Sequence, residues 1–233
     1  KPGYWIVYAI GFISLMLLVH EFHDWAHFLV ARIICGCWGS KGFDIWTVCP
    51  DCQPSPDLLP YIYFAGPFIT YVFMWAGWLF LNPKNRPQKR SIGFALVFAG
   101  VPFVRILASI VGGGDETYAL RLLFQHADGN NRHQVAAGGL ALVLLFTIIP
   151  LLRAFLFLKN WKQKLLIFPI FLVTPMYIDH WIMQAMNRLL SMGFLKQELM
   201  TGVPLLVILW ILLLFEILIL TRKKIISLRD YLE

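Results

Sequence analysis

Charge is what this chain has least of: Asp, Glu, Lys and Arg make up 14% of its 233 residues, against 59% hydrophobic and 15% aromatic side chains. Soluble globular domains carry about 25% charged residues, so an ordinary water-soluble fold is excluded. Cysteine is limited to four residues, all between positions 35 and 52, too few and too local to staple the whole chain. No internal repeat and no low-complexity segment occurs, which sets aside solenoids and flexible linkers. No polar stretch is long enough to form a separate soluble domain.

What is present in quantity is apolar sequence, with a mean hydropathy of +0.68. A helix needs about 20 apolar residues to cross a hydrocarbon core of about 30 Å. Runs of that length lie near 4–34, 60–81, 91–113, 134–158, 165–188 and 201–221, giving an all-α, polytopic bundle of six transmembrane helices. The first run lacks a small-residue cleavage site and its helical pattern continues through a polar cluster, so it reads as a span rather than a cleavable signal. Lys and Arg collect in cytoplasmic loops of membrane proteins. Here Lys84, Arg86, Lys89 and Arg90, then Lys159, Lys162 and Lys164, and the tail with Arg222, Lys223, Lys224 and Arg229 all fall on one side, with Lys1. Both termini are therefore expected in the cytoplasm. The formal net charge of +7 then reflects topology. The basic residues form no continuous patch, so nucleic acid is not an expected partner; the partners are the lipid bilayer and other transmembrane proteins, as substrate or as subunits.

The four cysteines lie in the first extracytoplasmic loop, CGCWGSKGFDIWTVCPDC. In an oxidising compartment Cys35, Cys37, Cys49 and Cys52 form one or two disulfides. A four-thiolate zinc site is the alternative. Cys49-Pro50-Asp51-Cys52 has ligand spacing, whereas Cys35-Gly36-Cys37 is one residue tighter than the usual pair.

The chemistry concentrates in His20-Glu21-Phe22-His23-Asp24-Trp25-Ala26-His27, inside the first span. Ionisable groups are costly in lipid, so such a cluster marks a functional site. At about 100° per residue, His20, His23, Asp24 and His27 share a sector of about 100°, while Glu21 points away from His23. Two imidazoles four residues apart can reach one zinc, and the residue after the first is placed to act on water. That residue is Asp24. The shifted register, His20-Glu21-Phe22-His23-Asp24, keeps a glutamate, Glu21, but replaces the second histidine with Asp24.

The run His23-Asp24-Trp25-Ala26-His27-Phe28-Leu29-Val30-Ala31-Arg32, with Gly36 beyond it, resembles the metal-binding helix of the site-2 protease family of intramembrane zinc metalloproteases. Ala65-Gly66-Pro67 in the second span is similar to that family's Ala-Gly-Pro signature. The resemblance covers about residues 1–116 and implies a three-helix core. It further implies a Zn2+ ion on His23, His27 and Asp115, the last standing after three glycines at the end of the third span. Asp24, or less favourably Glu21, would be the catalytic proton acceptor, and the substrate would be a peptide bond in a membrane helix. Asp24 stands where the family has glutamate, Thr70 where asparagine is common, and Asp115 lacks the family's Leu-Asp-Gly context. A relative that kept the metal and lost cleavage, acting as a structural or regulatory subunit, is the alternative.

Residues 117–133 are expected to form an interfacial helix and a turn at Asp128-Gly129-Asn130-Asn131. Residues 134–233 are expected to give three further spans and a cytoplasmic tail. His126 and His133 are expected in water. Arg105 is expected to pair with Asp179 or Glu216, and Asp179-His180 could join the metal site or begin a proton path.

Overall fold

The computed structural model describes residues 2–52, 55, 57–124, 132–200 and 202–228. The elements are α1 (Pro2–Cys35), α2 (Leu59–Phe80), α3 (Pro87–Ala99), α4 (Pro102–Ile110), α5 (Asp115–Leu123), α6 (Arg132–Phe157), α7 (Trp161–Ser191), β1 (Glu198–Met200), β2 (Val203–Pro204) and α8 (Leu205–Ile226). The chain is mostly helical. Six helical stretches, Gly3–Cys35, Leu59–Phe80, Pro87–Ile110, His133–Phe157, Trp161–Ser191 and Leu205–Ile226, are long and apolar enough to cross a membrane. They fall within a few residues of the expected runs.

The third of these stretches differs from the continuous span expected from the sequence. It breaks at Gly100 and Val101, Val101 taking a left-handed φ of 44° before Pro102 starts α4. Proline has no N–H to give and clashes with the preceding turn, and Gly100 closes α3. The break reorients α4, which carries Arg105. The bundle is also not purely helical: β1 and β2 pair antiparallel ahead of α8, and Lys41 bridges Trp46 within the cysteine-rich loop.

Helix α1 packs against α2, α3 and α8. One core cluster gathers Tyr8, Phe12, Phe94 and Phe98 with Phe171 beside them; the other gathers Met16, Leu17, Phe28, Phe43 and Val207. Glycines set the closest approaches. A Cβ on Gly77 would stand 2.7 Å from the carbonyl oxygen of Gly93, and one on Gly93 would stand 2.7 Å from that of Gly77. Small residues let helix backbones meet where lipid offers no hydrophobic force between them, and here they bring α2 onto α3.

The loop after α1 folds back over the bundle and is held covalently. Cys35 bonds Cys52 and Cys37 bonds Cys49, so the four thiols form two disulfides and no thiolate zinc site. The loop is also held by Asn187 of α7, whose Oδ1 accepts from Phe43 N–H at 3.1 Å and whose Nδ2 donates to the Phe43 carbonyl at 2.5 Å. Lys41 N–H donates to the Gly202 carbonyl at 2.7 Å.

Helix α5 starts at Asp115, and its first turn is packed inside, with Glu116, Thr117 and Ala119 buried against α2 and α6. His126, the Asp128–Asn131 turn and Arg229 lie outside the described residues.

Gly77→Val should lower the stability of the detergent-solubilised protein by about 1–3 kcal/mol through overpacking, whereas Gly3→Ala, which meets nothing within 4 Å, should leave it unchanged. Thermal unfolding of both variants followed by circular dichroism checks this.

Candidate metal centre

Two imidazoles from α1 and one carboxylate from the start of α5 meet inside the bundle. His23 Nε2 lies 3.0 Å from His27 Nε2 and 3.1 Å from Asp115 Oδ2, and His27 Nε2 lies 3.6 Å from the same oxygen. Asp115 arrives by a tight turn: Gly112 and Gly114 take φ of +76° and +83°, a region open to glycine at little cost. The three residues that the sequence put forward as ligands are thus brought together from positions 92 residues apart.

The separations suit a metal. A tetrahedral zinc with bonds of about 2.0–2.2 Å spaces its donors about 3.3–3.6 Å apart, and the triangle of 3.0, 3.1 and 3.6 Å lies within a few tenths of an ångström of that edge. Helix α2 presses on the pair at Gly66, where a Cβ would stand 2.5 Å from His23 Cε1 and 2.7 Å from His23 Nδ1. Any side chain at Gly66 would fill the space the imidazoles occupy. Trp46 of the disulfide loop stacks on the His27 ring at 4.8 Å and 15°, covering it from the other side.

The outer ring nitrogens decide which lone pairs are available. His27 Nδ1 lies 2.6 Å from the Ile62 carbonyl, an acceptor, so Nδ1 carries the proton and Nε2 faces Asp115 with a lone pair. His23 has two alternatives. Its Nδ1 lies 2.8 Å from Arg105 Nη2 and 3.2 Å from Thr70 Oγ1. Arginine can only donate, so with Arg105 engaged the His23 proton sits on Nε2 and points at Asp115 and His27. With Nδ1–H donated to Thr70 instead, Nε2 is bare and both imidazoles can ligate. The Thr70 hydroxyl then sends its own hydrogen to the Gly66 carbonyl, 3.3 Å away. The Arg105 contact therefore belongs to the metal-free tautomer, and Thr70 holds the ligating one.

Asp115 is suited to be an anionic ligand. Burial raises its carboxyl pKa, but hydrogen bonding and charge from His23 and His27 outweigh burial and hold it well below the usual carboxylate range.

The other acids on α1 face elsewhere. Glu21 Oε2 lies 3.0 Å and Asp24 Oδ2 3.4 Å from Nζ of Lys41, which is 1% exposed. Burial lowers the Lys41 pKa, but the two carboxylates more than reverse this and hold the ammonium above its ordinary value. Both carboxylates named as proton acceptors are thus engaged by one loop cation. Arg105 pairs with neither Asp179 nor Glu216: its Nη1 donates to Glu116 Oε1 at 2.9 Å, and Glu216 is exposed. Glu116 Oε1 also accepts from Tyr71 at 2.6 Å. The break at Gly100–Val101 aims Arg105 at α5, which the sequence read as a continuous span did not show. Asp179 instead meets His20 Nδ1 at 2.7 Å, and His180 is hydrogen-bonded with Gln184.

His23 and Asp115 line a cavity of about 670 Å³ with Arg105, Glu116, His20 and Asp179. Its remaining walls include Val104, Leu107, Val111 and Met176. No known protein family, curated protein or solved structure matches the chain.

Two outcomes follow from these contacts. Thr70→Val should weaken zinc binding by about 10–100-fold, the usual cost of removing an outer partner of a ligating histidine, as read by competition with a fluorescent chelator. Lys41→Met leaves Glu21 and Asp24 buried without their cation and should cost about 3–5 kcal/mol in a thermal unfolding measurement, with part of that restored in Lys41→Met/Glu21→Gln.

Proposed function

We propose that this chain is a multi-pass membrane protein, both termini cytoplasmic, that binds one zinc ion on His23, His27 and Asp115 and hydrolyses peptide bonds in membrane-embedded substrates, in the manner of the site-2 protease family. The observation that carries this reading is the three-donor triangle beside a half-open cavity. Structural zinc sites are closed by four protein ligands, whereas catalytic ones use three and keep an open position. The residues present fit the ion in separation, in the tautomer of His27 and in the tautomer open to His23 through Thr70. When bound, zinc supplies Lewis acidity that polarises a carbonyl and acidifies water.

The chain's own residues do the rest. Val104, Leu107, Val111 and Met176 make the cavity walls apolar, which favours an uncoiled hydrophobic segment over a polar soluble peptide. Arg105, on the same wall, offers a fixed positive charge to a developing oxyanion. For the proton, neither Glu21 nor Asp24 lines the cavity, whereas Glu116 does, so Glu116 is the carboxylate placed for it. Tyr71 and Arg105 fix its Oε1, and it is next in sequence to Asp115. Glu116 thus takes the role that the sequence pattern gave to Asp24 or Glu21.

A second reading rests on one observation. With Lys41 occupying both α1 acids, the chain also suits a relative that keeps the metal without cleavage and serves as a subunit of a membrane complex. The two are separated by measuring metal content and cleavage of an apolar transmembrane reporter in the same purified protein. The hydrolase predicts about one zinc at this triangle, lost in His23→Ala/His27→Ala, and cleavage that falls at least 100-fold in Glu116→Gln but persists in Asp24→Asn. Cleavage lost only in Asp24→Asn returns the proton to that residue. Zinc present with no cleavage favours the subunit, and absence of metal overturns both.

A further inference from the structure

We infer that His20, Asp24 and Asp44 form a second cation site at the wall of the same cavity, one that takes a divalent transition-metal ion such as Mn2+ or Zn2+. The site shares no ligand with His23, His27 and Asp115, so it stands whether or not that triangle holds zinc.

The argument starts from the outer nitrogen of His20. Its Nδ1 lies 2.7 Å from Asp179 Oδ1. An ionised carboxylate accepts only, so Nδ1 carries the proton. This is the carboxylate–imidazole arrangement that orients ligating histidines and raises their basicity. The other nitrogen, Nε2, then faces two further acid oxygens, Asp44 Oδ1 at 3.3 Å and Asp24 Oδ1 at 3.8 Å. Three electron-pair donors from α1 and the disulfide loop converge, all within 4.8 Å of one another.

A positive charge between these donors would offset their repulsion, and two kinds are available. A proton on Nε2 would make an imidazolium, which at N–H···O distances of about 2.7–3.2 Å would reach Asp44 at 3.3 Å only at the limit and leave Asp24, at 3.8 Å, without a hydrogen bond. Donors bound to a common ion at about 2.0–2.3 Å stand about 3–4 Å apart, and both separations fall in that range. Lys41 does not fill the position, because it takes the other oxygen of Asp24, Oδ2, at 3.4 Å. It leaves Oδ1 turned toward His20.

Charge points the same way. Glu21, Asp24, Asp44 and Asp179 gather around Lys41 and His20. Four carboxylates against one ammonium leave an excess of negative charge beside an apolar bundle, which a divalent ion offsets more fully than a single proton. One imidazole with two carboxylates selects a transition ion over calcium or magnesium. Access is through the cavity, since His20, Asp44 and Asp179 all line it.

The test is metal stoichiometry on detergent-purified protein, equilibrated with Mn2+ or with Zn2+ and read by mass spectrometry, with the electron paramagnetic resonance spectrum of bound Mn2+ as a second readout. Wild type should hold two ions per chain, and Asp44→Ala should hold one. Asp44 has a side chain 65% exposed, so its removal leaves the core intact where His20→Ala could disturb it. His23→Ala/His27→Ala should also hold one, with the Mn2+ spectrum retained. A single ion lost in Asp44→Ala but kept in His23→Ala/His27→Ala supports this site and overturns the zinc triangle. A stoichiometry that Asp44→Ala and Asp179→Asn leave unchanged, or no bound ion at all, overturns the second site and assigns the cluster to a proton.

Discussion

A charge inside an apolar bundle has no water to fall back on, and this constraint organises the molecule around about two turns of α1. Each polar group there takes a partner from outside α1. His20 takes Asp179 from α7, and Glu21 and Asp24 take Lys41 from the disulfide loop. His23 takes Thr70 from α2 and Asp115 from α5, while His27 takes the Ile62 carbonyl. Removing one partner of a buried pair strands the other, so the contacts support one another. Packing of apolar side chains brings the helices together, but the polar stretch determines which faces can meet.

The sequence was informative where the rule is local. Six apolar stretches, the helix through the histidines, and the shared face of His23 and His27 follow from length and from the helical period. Asp115 was put forward only by the family resemblance, with the three glycines before it allowing the close backbone approach its position needs. Gly66 was visible only as part of a short signature; its physical reason, the lack of room beside two imidazoles, required the approach of α2.

The rest depended on long-range geometry. Lys41 lies among loop residues in sequence and is buried in the fold, and the available clue was negative: Glu21, off the histidine face and in an apolar helix, needed a cation. Arg105 was recognised as a buried charge, but its partner was not. Its direction depends on the break at Gly100–Val101, and a period-based reading carries a span straight through Pro102. Glu116 carried no signal of its own in the sequence, and only the packing of α5 turns it inward.

The grip of Asn187 on Phe43 ties two parts of the cavity wall into one mechanical piece. Both amide atoms of one α7 side chain hold both backbone groups of one loop residue, so helix and loop cannot slide past each other without breaking the pair. Asp179 lies two helical turns before Asn187 on α7, and Asp44 follows Phe43 directly. Displacing α7 outward therefore withdraws acids from both sides of His20 in a single stroke, while the disulfides keep the far end of the loop anchored to α1. The wall of the cavity and the acids that flank His20 are thus held by the same pair of hydrogen bonds.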